Sequence, residues 1–298
     1  MFQPLIILYC TFVALSDWVA DYNNDARPLC PTELGPSSRT PEEGHRIVGG
    51  EHAGKTTFPF AVGLVYVDPY HERFTRDNII CGGTMITDLH VLTAAHCLNF
   101  DIMKYIAYLR VTVSDYDLED PNEVKSYLRK IRYISLESQY NVITHDNDIA
   151  IITLDLPIPL NENMRMVALP FLGRKVRAGT MCTVWGWGLT SHNRTSAVML
   201  KINVPIIHRR VCWQRVFWHI TENMICAGGE RGKAACEGDS GGSLLLRKGN
   251  AYCMIGIVSF GSIECAKNHV PVIYTNVASY TDKIYMATKD ASCKPRIL

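Results

Sequence analysis

The chain has 298 residues, 47% of them apolar and 20% charged, with a formal net charge of +1. This balance excludes a disordered chain, and a near-zero charge without a Lys/Arg stripe gives no footing for a nucleic-acid partner. The length suits one large β-rich domain or two smaller ones, with ample material for a core.

In chain order, residues 5–15 (LIILYCTFVAL) form an apolar run of signal-peptide length, too short to span a bilayer comfortably. Small residues at Ala14 and Ser16 suit cleavage after Ser16, with cleavage after Ala20 as the alternative. The competing reading is a short membrane anchor. No second apolar stretch approaches transmembrane length, so a secreted, extracellular protein is expected, without a membrane partner. Of eleven cysteines, Cys10 falls in this leader, and the other ten suffice for five bridges in an oxidising compartment. No pair has C-x-x-C spacing, so a zinc site is not expected.

Residues 17–46 are polar and proline-dotted, which reads as an exposed, poorly ordered segment. From Ile47 onward, short β-prone runs alternate with Gly, Asn, Asp and Pro, as in FAVGLVYV (60–67), IAIITL (149–154) and MIGIVSF (254–260). That texture predicts an all-β barrel or sandwich. Helical spacing is clear only over residues 279–289, with Tyr280, Ile284 and Ala287 on one face.

Three segments carry chemistry: VLTAAHC (91–97), HDNDIAIITL (145–154) and GDSGG (238–242). A serine nucleophile needs a base to take its proton and an acid to orient that base. His96, Asp148 and Ser240 offer those groups in the order His, Asp, Ser, although they must converge in space. Asp146 is the rival acid, but Asp148 abuts the apolar strand directly; His145 is then most simply a loop residue.

With RIVGG, GWG, MICAGG, CEGDSGG and GIVSFG added, residues 47 to about 289 resemble the chymotrypsin/trypsin-like serine peptidases. The resemblance implies two six-stranded antiparallel β-barrels packed together, the triad in the cleft between them, and a C-terminal helix. It implies a serine-type endopeptidase with no cofactor and no metal. His96 is then the general base, Asp148 its orienting acid and Ser240 the nucleophile, while the backbone N–H groups of Gly238 and Ser240 form the oxyanion hole. Ser259 helps hold the acid. Residues 1–16 become the signal peptide, 17–46 the propeptide and 47–298 the peptidase domain. GHRIVGG is the activation site, cut between Arg46 and Ile47, and the new Ile47 ammonium pairs with Asp239. The implied partners are a protein or peptide substrate, an activating trypsin-like protease and a serine protease inhibitor.

The resemblance also implies the bridges Cys81–Cys97, Cys212–Cys226, Cys236–Cys265 and Cys182–Cys253. The last departs from the commonest pattern, whose partner for Cys182 stands about where Leu246 does. The two cysteines left over, Cys30 and Cys293, would tether the propeptide after cleavage.

The base of the family's specificity pocket lies six residues before the nucleophile, and here it is Ala234, followed by Ala235. Without a carboxylate there, cleavage after Arg or Lys is disfavoured. Ser259, Phe260 and Gly261 line the pocket wall, with Gly261 leaving the mouth open, and Val272 in place of the family's glycine narrows it. A small to medium apolar residue is therefore expected before the scissile bond, with aromatic residues as the rival and Glu264 or Glu237 near the rim. Ser243 stands where the family usually has proline. Asn193-Arg194-Thr195 is the single N-glycosylation sequon. The acidic stretch at 114–123 lies where some relatives bind calcium, but its spacing reads as a solvated loop. The alternative function is a weakly active or inactive protease homologue that binds or regulates other proteins.

Overall fold

The computed structural model describes residues 7–9, 15–34, 50–68, 70–71, 73–99, 104–120, 126–161, 164–190, 194–230, 234–262, 265 and 269–298. Arg46, Ile47, Asn193 and Glu264 lie outside them.

Two antiparallel sheets curl into barrels. The first contains β3 (Ala61–Tyr66), β4 (Ile79–Met85), β5 (His90–Thr93), β6 (Leu109–Val113), β7 (Tyr127–Arg129), β8 (Ile131–Leu136) and β9 (Ala150–Leu154). Their order is β8-β9-β5-β4-β3-β6-β7. Only Lys130 separates β7 from β8, so the two edges of the sheet are one bent stretch of chain, and the barrel closes there. An outlying β1 (Ile7–Tyr9) pairs parallel to β8.

The second barrel is a ring of β10 (Met181–Gly186), β13 (Ser243–Lys248), β14 (Ala251–Phe260), β15 (Pro271–Asn276), β12 (Met224–Gly228) and β11 (Leu200–Ile207). The pairing of β10 with β11 closes it, and β2 (Glu51–His52) adds to β11. Strand β11 alternates buried and more exposed residues, as a strand with one core face should. Strand β9 is buried throughout, matching a sequence that is apolar except for Thr153.

Aromatic rings join the barrels. Phe58 stacks on Trp185 at 6.1 Å and meets Tyr252 at 5.5 Å, with Phe60 alongside Tyr252 at 6.1 Å. Trp185 and Trp187 are fully buried. Large rings in such offset and tilted contacts dominate the energetics of a core.

Three α-helices are described: α1 (Leu15–Asn24), α2 (Arg209–Val216) and α3 (Thr281–Ala287). The C-terminal helix α3 is shorter than the sequence pattern, because a 3-10 turn occupies Val277–Ser279.

The expectation of a poorly ordered segment from residue 17 is corrected over residues 17–34, which form the body of α1 and a strap docked on the C-terminal end. Trp18 is buried against Tyr285, and the Tyr22 and Tyr285 rings meet edge-on at 5.2 Å. Lys294 Nζ donates to the carbonyls of Tyr22 and Asp25, and Met166 N donates to Pro31 O. Cys30–Cys293 fastens the strap covalently. Two rings one helical turn apart, together with a bridge, outweigh the local polar composition.

Bridges Cys81–Cys97, Cys212–Cys226 and Cys236–Cys265 are also present. The pairing of Cys182 with Cys253 is corrected: both are buried free thiols. Cys253 sits opposite Leu246, and β13 lies between β10 and β14. Two strand spacings separate the cysteines, roughly 10 Å, beyond the reach of a disulfide. Burial pushes both thiols up to about 12.

Candidate active site

His96 lies in a 3-10 turn (Ala95–Leu98) at the end of β5, clamped to β4 by Cys81–Cys97. Asp148 immediately precedes Ile149 and β9, the strand beside β5, so the two residues meet across a strand pair. His96 Nδ1 lies 2.7 Å from Asp148 Oδ2, and the His96 amide donates to Oδ1 at 2.9 Å. The Ser259 hydroxyl also donates to Oδ2, and Thr275 Oγ1 donates to the Asp148 carbonyl at 2.7 Å. Burial penalises the Asp148 charge, but the His96 bond and charge and the Ser259 hydroxyl outweigh it and hold the carboxyl below its usual range.

Asp146, the rival acid, points elsewhere and accepts from Thr221 Oγ1 at 2.7 Å. His145 is more than a loop residue. Its left-handed backbone (φ 54°) turns the ring to face His96 edge-on, with centroids 5.8 Å apart, and Phe260 at 5.4 Å and Trp218 beyond it extend an aromatic wall. Burial lowers the His145 pKa.

Ser240 comes from the other barrel. Its carbonyl accepts from Gly82 N at 2.7 Å, and the Thr93 hydroxyl donates to Gly82 O at 2.8 Å. These contacts lash the serine loop to the strands that carry His96. The approach is possible only because Gly241 (φ 80°) lacks a side chain: a Cβ there would lie 2.3 Å from Thr93 Oγ1 and 2.4 Å from Gly82 O. Among the described residues, Ser240 Oγ and His96 Nε2 form no hydrogen bond; His96 Nε2 instead lies 3.8 Å from Cys97 Sγ.

The Asp239 amide bonds to Cys236 O and the Gly241 amide to Val258 O, whereas the amides of Gly238 and Ser240 donate to no acceptor among the described residues. Gly238 has φ 90°, and a Cβ would lie 3.0 Å from Gly188 Cα. Two free N–H groups beside a serine suit a developing oxyanion.

A family model described as Trypsin matches residues 47–284. The chain belongs to the trypsin family of serine endopeptidases. It is 35% identical over 260 residues to rat chymotrypsin-C, covering 86% of this chain and 93% of the relative. It is 36% identical over 244 residues to bovine chymotrypsin-C (80% and 87%) and 34% identical over 243 residues to Drosophila melanogaster trypsin eta (80% and 87%). The docked α1 and its strap precede the residues matched to the family.

Asp239, next to the serine, is buried and accepts from Gly188 N and Cys236 N, both at 2.8 Å. Burial outweighs these bonds and pushes its carboxyl up to about 7. A Cβ at Gly188 would fall 2.6 Å from that carboxylate, which accounts for glycine in GWG. Ile47, the expected partner, lies outside the described residues.

Ala234 and Ala235 are buried in one cluster with Val258, Val272 and Ala227. Val272 Cγ2 lies 3.4 Å from the Cβ position of Gly261, so its side chain lies directly over that glycine. Glu237 is exposed, and its carbonyl accepts from Leu189 N. Ser243 has a partner that the sequence did not disclose: Trp185 Nε1 donates to its hydroxyl at 2.7 Å, with both residues fully buried.

Proposed function

We propose that the chain is a secreted zymogen, activated by cleavage after Arg46, that hydrolyses peptide bonds by a His96, Asp148 and Ser240 triad. The observation that carries this reading is the 2.7 Å His96–Asp148 contact, together with the amides of Gly238 and Ser240, which donate to no acceptor among the described residues. Ser240 Oγ attacks the substrate carbonyl while His96 Nε2 takes its proton. Asp148 fixes the ring and balances the imidazolium. The amides of Gly238 and Ser240 receive the oxyanion, at a value of a few kcal/mol per donor. His96 then protonates the leaving amine, and water resolves the acyl-enzyme by the reverse roles.

Cleavage supplies an Ile47 ammonium for the buried Asp239 carboxylate, which is costly unpaired. The same cut leaves the propeptide attached through Cys30–Cys293 and the packing of Trp18 and Tyr22. Residues 1–16 serve as the signal peptide, and Asn193 carries a glycan.

Substrate preference is apolar. The names of the relatives do not decide this, since chymotrypsin-C and a trypsin align at nearly equal identity. The buried cluster around Ala234, Ala235 and Val272 supports it, because among the described residues that cluster is apolar and holds no carboxylate for a substrate Arg or Lys. The test is to cut the purified zymogen after Arg46 and profile it on a peptide library beside Ser240→Ala. Cleavage after apolar residues is expected. Hydrolysis no greater than that of Ser240→Ala favours the binding-homologue alternative, and cleavage only after Arg or Lys refutes the pocket reading.

A further inference from the structure

A recess of about 590 Å³ lies where the strap meets the body of the protein. Its walls come from three stretches far apart in sequence: Pro31, Thr32 and Glu33 of the strap, Leu160 and Arg165 beyond β9, and Arg296 near the C-terminus. The volume is that of a pocket for a small organic molecule. Thr32 is only 2% exposed, and its hydroxyl has no hydrogen-bond partner among the described residues. Few buried hydroxyls stay unpaired in native proteins, because each one left so costs free energy. The arginines also have donors to spare. Arg165 is held by Nε on Glu33 O at 2.7 Å and by Nη1 on the carbonyls of Asn161 and Met164. Arg296 donates Nη1 to Glu33 Oε1 at 3.2 Å. A guanidinium carries five N–H groups, and among the described residues Nη2 of Arg165 and both Nε and Nη2 of Arg296 donate to no acceptor.

We propose that this recess binds the sulfate monoester of a small, sugar-sized molecule, and that its occupation locks the strap onto the body of the protein. The Thr32 hydroxyl and the two guanidinium forks come from three separate segments, and a sulfate ester has three terminal oxygens to receive them. A carboxylate has only two. Charge makes a second selection. Two guanidinium groups against the Glu33 carboxylate leave one net positive charge in the walls, which a single sulfate ester balances. A phosphate monoester carries about −1.5 to −2 near neutral pH and overshoots it. Pro31 and Leu160 give the organic part an apolar surface. Because the strap supplies part of the wall, a ligand that binds only the docked form stabilises that form by mass action. The site needs neither the cut after Arg46 nor the triad, so it stands apart from the peptidase reading.

The test uses the uncut protein, with glucose 6-sulfate titrated in calorimetry and in thermal unfolding at fixed ionic strength. Glucose 6-phosphate, glucuronate and glucose run in parallel. Expected are one glucose 6-sulfate per chain, a raised Tm, and slower hydrogen exchange at the Met166 and Lys294 amides, which donate to Pro31 O and Pro28 O of the strap. Glucose 6-phosphate and glucuronate should bind more weakly, and glucose not at all. Thr32→Val and Arg296→Gln should each lose sulfate affinity by about tenfold or more. Without ligand, Thr32→Val should keep or raise the wild-type Tm, because it deletes an unpaired buried hydroxyl. Its weaker response to sulfate is then not a folding defect. No binding by the wild type overturns the proposal, as does equal binding by the wild type and both variants. Tighter binding of glucose 6-phosphate or glucuronate than of glucose 6-sulfate overturns the assignment to a sulfate ester.

Discussion

The indole of Trp185 donates its N–H to the hydroxyl of Ser243 at 2.7 Å, inside the contact between the barrels and three residues past the candidate nucleophile. Both groups are buried, so neither has water as a substitute. The pair thus anchors the exit of the GDSGG loop to β10.

Removing both partners should therefore cost less than the two single losses added together. Ser243→Ala leaves a buried indole donor unpaired and should destabilise the protein by about 1–3 kcal/mol. Adding Trp185→Phe should produce less than the sum of the single losses, measured by denaturant unfolding as a double-mutant cycle. Additive losses would mean that the hydrogen bond carries no weight.

Gly241→Ala should be far more damaging than its size suggests. The new methyl would strike Thr93 Oγ1 and Gly82 O from a backbone at φ 80°. A stability loss above about 2 kcal/mol is expected, with hydrolysis lost because Ser240 is pushed away from His96. Unfolding and activity measurements on the same variant check both.

Asp148→Asn should keep the fold and lose catalysis. The amide can still face the His96 backbone N–H but no longer fixes the productive tautomer, and a drop of roughly 10⁴ in kcat is expected. Ser259→Ala, which removes only a donor to Oδ2, should cost much less. Equal effects would reassign the role of the acid.

Asp239 predicts a pH dependence with a definite sign. Its folded carboxyl is raised to about 7 from 3.8, so the uncut fold binds a proton that the unfolded chain releases between those values. Its contribution is fully present below about 4 and is lost as pH rises through about 7. Relative to Asp239→Asn, the uncut wild type should therefore lose stability across that window, by a few kcal/mol. After cleavage at Arg46 the difference should shrink, because the Ile47 ammonium favours the charged form. Thermal unfolding of both proteins across the pH range, before and after cleavage, reads this directly.

Much of this architecture is legible in the sequence because it rests on local signals. Short apolar strands predict the barrels, and the histidine, aspartate and serine sit in segments whose neighbours explain their backbone. The strap over residues 17–34 is not legible in that way. Its partners Tyr285 and Lys294 lie more than 250 residues along the chain. The spacing of Trp18 and Tyr22, one turn apart on α1, and the leftover pair Cys30 and Cys293 are its signals in the sequence. The ring of His145 faces His96 because of a left-handed φ at a non-glycine residue, which composition does not reveal. The Cys182–Cys253 pairing failed because strand order, not distance along the chain, separates the two thiols.

The most direct test of the central claim is covalent capture of Ser240. The protein cut after Arg46 is exposed to an organophosphonyl fluoride and mapped by mass spectrometry of its peptides. One adduct per chain, on Ser240, is predicted, forming much more slowly in the uncut chain and lost in His96→Ala. No adduct on Ser240 in the cut protein, or labelling indifferent to His96, would contradict a triad-activated nucleophile.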